Sequence, residues 1–132
     1  MTYRELFDAA VRMVAENAEE GDVTDYEDRA SYLLATVSNQ SAALNRAYRL
    51  ANEASDTALV KVGVCVTLDE TFPLTDAFAP AVTYYLAAML VLDENEEMSD
   101  TLFSRYADAI AQLRSQMPAA TEKIVNCYDG TL

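Results

Sequence analysis

Carboxylates and two thiols are the side chains of this chain best suited to chemistry, because it contains no histidine. Without imidazole there is no Ser-His or Cys-His nucleophile pair, and the commonest general base and metal ligand is missing. The densest acidic run, Asp93-Glu94-Asn95-Glu96-Glu97, has the look of a calcium loop. Counted as an EF-hand from Asp93, however, it puts Met98 where glycine must turn and Ser104 where the bidentate glutamate belongs. A solvated corner between helices is the expected role. Asp69 and Asp76 form a conceivable acid/base couple, yet such pairs catalyse only where burial drives their pKa values apart. Both stand beside turn signals, and capping and solubility account for them. Gly21, Gly63 and Gly130 stand alone, so there is no glycine-rich phosphate loop. Cys65 and Cys127 match no metal-ligand or redox spacing, and a disulfide between them needs Cα atoms within about 7 Å. Residues 1–20 carry no secretory pattern, so both cysteines are expected as buried free thiols in a reducing cytoplasm. The sequence therefore calls for no catalytic residue, no cofactor and no metal ion. Contact with other proteins is the expected mode of action.

The elements that position these residues are mostly helical. The 132 residues fit one domain spanning 1–132, and the 52% apolar share is enough for a core. Thr2-Tyr3-Arg4-Glu5 has the form of a capping box, followed at helical spacing by Leu6, Ala10, Met13, Val14 and Asn17 up to Gly21. A second box, Thr24-Asp25-Tyr26-Glu27, opens a long helix lined by Ala30, Leu33, Leu34, Val37, Ser41, Leu44, Tyr48 and Ala51. Its mid-helix polar run, Ser38-Asn39-Gln40-Ser41, suits either solvent or a polar seam against another chain.

Over 59–68 the period changes to two. Val60, Val62, Val64, Val66 and Leu68 alternate with Lys61, Gly63, Cys65 and Thr67, which predicts a half-buried strand. A strand needs a partner for its amides, and the candidates are 122–128 of the same chain or a neighbouring copy. Phe72-Pro73-Leu74-Thr75-Asp76 then turns into a third helix, with Pro80 in its first turn. This helix is apolar nearly all round from 81 to 92, as a central buried helix should be. Asn95 or Ser99 caps a fourth helix with Leu102, Phe103, Tyr106, Ile110, Leu113 and Met117 on one stripe, and Pro118 stops it. The expected fold is mainly α: a small bundle of about four helices with one short strand or hairpin. Tyr84 and Tyr85 are expected to be half core and half interface.

Charge limits the partners. Nine basic residues against 22 acidic ones give a net charge of −13. Tight nucleic-acid binding requires Lys/Arg clusters that displace counterions, and an anionic membrane surface repels such a chain. The apolar run 77–92 is interrupted and falls short of the roughly 20 residues of a membrane span. The charges are also segregated. Residues 16–28 hold seven acids and no base, whereas 29–52 hold Arg29, Arg46 and Arg49 and no acid. Intrachain pairing is one explanation. The other is an acid-to-base match between adjacent copies, as head-to-tail rings require.

The stretch Phe72-Pro73-Leu74-Thr75-Asp76-Ala77-Phe78-Ala79-Pro80-Ala81-Val82-Thr83-Tyr84-Tyr85-Leu86-Ala87-Ala88 resembles the head–tail connector (adaptor) proteins of tailed phages and prophages. Asp93-Glu94-Asn95-Glu96 and Ser104-Arg105-Tyr106-Ala107-Asp108-Ala109 continue the likeness. Its motifs are structural, and its specific part is 72–109. The strand at 60–68 departs from it or elaborates it. The resemblance implies a homo-oligomeric ring docked on the portal and other head–tail proteins, forming part of a DNA conduit. It also implies assembly in the bacterial host cytoplasm and a final place in the virion neck. On that basis Arg46 and Arg49 would meet Glu19, Glu20, Asp22 or Asp25 of a neighbour, and Val60, Val62 and Val64 would supply strand pairing between chains. A competing expectation is a small acidic regulatory protein that binds one host or phage protein, in the manner of a DNA mimic.

Overall fold

A computed structural model describes residues 1–14, 22–52 and 58–117, with the backbone only for 22–24, and among the described residues there are four α-helices and a wrapped connecting segment. In chain order they are α1 (Tyr3–Val14), α2 (Asp22–Ala51), α3 (Ala79–Val91) and α4 (Glu96–Ser115), with a 3₁₀ turn at Asp76–Phe78 leading into α3. The mainly helical four-helix expectation holds.

Each helix follows from its apolar spacing. In α1, Tyr3, Leu6, Phe7, Ala10 and Val14 are buried on one stripe, while Met13 lies at its exposed margin. The first amides of a helix have no partner within it. Here the amides of Tyr3 and Arg4 donate to the carbonyls of Glu70 and Leu68, at 3.1 and 2.8 Å. In α2, Tyr26, Ala30, Leu34, Val37, Ser38, Ser41 and Asn45 form the buried stripe. As expected, α3 is the central helix, packed against α1, α2 and α4, with Leu86, Leu90 and Val91 fully buried. The side chain of Asn95 caps α4 by accepting from the Met98 amide at 3.0 Å. Ser99, the other candidate cap, is buried inside α4 and donates to the Ala88 carbonyl of α3 at 2.8 Å.

The strand expected at 59–68 is not formed. Among the described residues the only β pairing is an isolated antiparallel bridge between Thr2 and Thr71. The alternation is nonetheless meaningful, because Val66 and Leu68 are buried and Val60 and Val62 pack against the core. It reports one-sided burial rather than a ladder. Helix α2 takes the place of the missing strand partner. Asn39 Oδ1 accepts from the Val62 amide at 2.9 Å, and its Nδ2 donates to the Val62 carbonyl at 3.0 Å. The Val66 amide donates to the Ser31 carbonyl at 3.0 Å. The other partner considered, 122–128, lies outside the described residues.

Candidate interaction surface

Helix α2 organises the surface as well as the core, through polar side chains spaced along its length. At its start Tyr26 donates through its hydroxyl to Glu94 in the acidic corner after α3. One turn on, Arg29 donates to the Met89 and Leu90 carbonyls at 2.9 and 3.5 Å. These are orphan acceptors at the negative end of α3, where a cation is favoured. In the middle of the helix Ser38 and Tyr3 share a buried hydrogen bond of 2.8 Å. Nearer its end Asn45 accepts from the Thr75 amide at 2.8 Å, just before the 3₁₀ turn, and Tyr48 packs edge-on against Phe78 at 5.8 Å. The polar run is thus a seam within the chain: Ser38 and Asn39 hold α1 and the 60–68 segment. Of the two expectations for this run, solvent or another chain, buried Ser38 meets neither, whereas exposed Asn39 faces solvent while binding the 60–68 segment of its own chain. A clue was present in the sequence, since Ser31, Ser38 and Asn45 recur at seven-residue spacing.

These anchors run α2 antiparallel to α3 and place the charges. The start of α2 lies beside the corner that carries Asp93, Glu94, Glu96 and Glu97, all exposed. With exposed Asp25, Glu27 and Asp28 they make one acidic end of the molecule. Within this end Arg29 reaches Asp25 at 3.7 Å. At the opposite end α2 finishes with exposed Arg46 and Arg49, beside the end of α4 where Tyr48 contacts Gln116. Asp25 and Arg49 are 24 residues apart on one helix, about 36 Å at 1.5 Å per residue, so no contact joins them within a copy. Glu19 and Glu20 lie outside the described residues, and of Asp22 only the backbone is described.

Two open grooves, of about 510 and 500 Å³, flank the segment 61–68 along α2. Val64 is 82% exposed at a bend, whereas Val60 and Val62 are half-buried against the core. Of the three valines expected at an interface, only Val64 is thus presented fully to solvent. Cys65 is exposed and free, which corrects the expectation of a buried thiol, because the bend at 64–65 turns it outward. Cys127 lies outside the described residues.

No family model, curated protein or solved structure matches the chain.

The carboxylates that raised the possibility of catalysis have other partners or positions. Asp69 pairs with Arg4 at 3.2 Å, and Asp76 is exposed in the 3₁₀ turn. Arg4 also meets Glu27 at 3.5 Å, and hydrogen bonding to Asp69 holds its guanidinium above the ordinary basicity. Among the described residues, no group of three or more acidic or sulfur ligands converges to hold a metal ion. The remaining shifts are in tyrosines. Burial raises Tyr3 above its ordinary 10.0, opposed by the Ser38 hydrogen bond. Burial also raises Tyr85 and Tyr106, whose rings meet at 5.5 Å between α3 and α4. No helix among the described residues is long and apolar enough to cross a membrane.

Proposed function

We propose that this protein is a structural subunit that assembles with copies of itself, acid end to basic end, as a head–tail connector of a phage or prophage particle. The observation that carries the proposal is the polarity of the molecule. Acids gather where α2 starts and α4 begins, and Arg46 and Arg49 sit about 32 and 36 Å along the helix from Asp25. A head-to-tail contact between two such copies joins opposite charges at each junction, and a closed ring satisfies every junction. The outward acidic surface suits a conduit that DNA passes without adhering, since phosphates are repelled within about 8 Å at physiological salt. The partners in this reading are the portal and adjacent head–tail proteins, and the contact set is Arg46, Arg49, Asp22, Asp25 and Val64.

Helix dipoles give the charge pattern a second role, because acids favour helix starts and bases favour helix ends. Light scattering during size-exclusion chromatography separates the two roles. Self-association should rise with protein concentration, weaken at high salt and be abolished by Arg46→Glu with Arg49→Glu, while the double variant stays folded. A constant monomer mass at low salt, with or without the portal present, refutes the connector role. A one-to-one complex with a single partner and no larger assembly would instead mark a regulatory protein.

A further inference from the structure

The groove of about 510 Å³ opens between the first half of α2 and the segment 65–68. Its lining joins buried Val66 and Leu68 to Tyr32, which is 54% exposed, and to the free thiol of Cys65. Asp28 and Tyr32 stand four residues apart on α2 and share a face, so a charge sits beside the apolar wall. The carboxylates here are not equivalent. Asp25 is held by Arg29 at 3.7 Å and Glu27 by Arg4 at 3.5 Å, whereas Asp28 has no ion-pair partner among the described residues. The far end of the same helix carries the complement. Arg46, Arg49 and Leu50 follow one another at helical spacing on one exposed face. Leu50 is 47% exposed, and Arg49, like Asp28, has no ion-pair partner among the described residues.

We infer that this groove receives the end of α2 from a second copy, with Leu50 against Tyr32 and Cys65 and Arg49 paired to Asp28. The inference rests on the assembly reading and deepens it by naming the seat. Charge complementarity selects the occupant, because a net charge of −13 leaves few cationic surfaces on the chain, and this one carries an exposed leucine beside its arginines. Asp28 and Arg49 are separated by about 32 Å of helix, so they cannot meet within one copy. Seat and occupant are therefore different surfaces, and each copy keeps one of each open for the next, as a heterologous contact requires. Covering Leu50 and the groove wall supplies the apolar driving force, and the ion pair fixes the register of approach.

Paired charge reversals in the full chain test it. Asp28→Arg and Arg49→Asp, each alone, should weaken self-association at least about tenfold by light scattering, because like charges then meet in the groove. The double variant should recover it, since the pair is restored with its signs exchanged. Unchanged circular dichroism confirms that the variants are folded. In a Cys127→Ser background, alkylation of Cys65 by iodoacetamide should slow as protein concentration rises. Three results would overturn the seat while leaving assembly standing: association that either single reversal leaves intact, association that the double variant does not recover, and association that leaves Cys65 equally reactive. A parent chain that stays monomeric at low salt, with or without the portal present, refutes the seat and the assembly reading together.

Discussion

Deleting the hydroxyls of Tyr3 and Ser38, singly and together, measures how tightly the polar seam ties α1 to α2. Both residues are completely buried, and their oxygens lie 2.8 Å apart. Tyr→Phe and Ser→Ala each remove one oxygen and leave little cavity, so the cost is almost entirely one of hydrogen bonding. Ser38→Ala strands the Tyr3 phenol without a partner, a penalty of about 2 kcal/mol within the usual range of about 1–3. Tyr3→Phe should cost less, about 1 kcal/mol, because the Ser38 hydroxyl can turn to the Leu34 carbonyl one turn back. The double variant strands nothing and should cost about 1 kcal/mol, well below the sum of the singles. The coupling is then about 2 kcal/mol, measured by urea unfolding with unchanged m-values. Additivity of the two single changes within about 0.5 kcal/mol would show that the two hydroxyls are not an isolated buried pair.

Three further outcomes are expected. Asn39→Ala should cost about 1 kcal/mol in urea unfolding, because water replaces its exposed hydrogen bonds to Val62 and Gly63, and Asn39→Asp should cost more because a carboxylate then faces the Val62 carbonyl. Leu86→Ala should cost roughly 2–5 kcal/mol, and a loss below about 1 in chemical denaturation would show that α3 is not central. Stability should fall as pH rises above 10.0, the ordinary tyrosine value, because the unfolded state releases protons that buried Tyr3 and half-buried Tyr85 and Tyr106 retain up to their raised values. Alkaline unfolding followed by tyrosinate absorbance checks this, and Tyr3→Phe should flatten the decline.

The helices were legible because their signals are local. Alternation of apolar residues with 3.6 periodicity marked α1 and α2, the all-round apolar run marked α3 as central, and Pro80 and Asn95 marked its start and the cap of α4. The 59–68 segment was legible only in part. A period of two reports which side is buried, and it does so equally when the neighbour is a helix. Nothing local announces that Asn39 will stand in for a strand, since its bonds cross 23 and 24 residues. Cys65 departs from its pattern for a related reason: the bend at 64–65 turns it to solvent. The charge segregation was visible along α2, but the union of its start with the Asp93 corner needed the Tyr26–Glu94 bond. Arg29 was counted simply as a base, whereas its site at the end of α3 depends on antiparallel packing across 60 residues.

Arg29 and Asn45 give α2 a further property. They grip the far end of α3 and the turn that precedes it, sixteen residues apart, or about 24 Å of helix. One residue inserted between them would swing one grip by about 100° relative to the other, and both could not close at once. Length variation in this protein should therefore be barred from that interval and permitted beyond Tyr48. The middle of α2 acts as a gauge that fixes how long α3 can be.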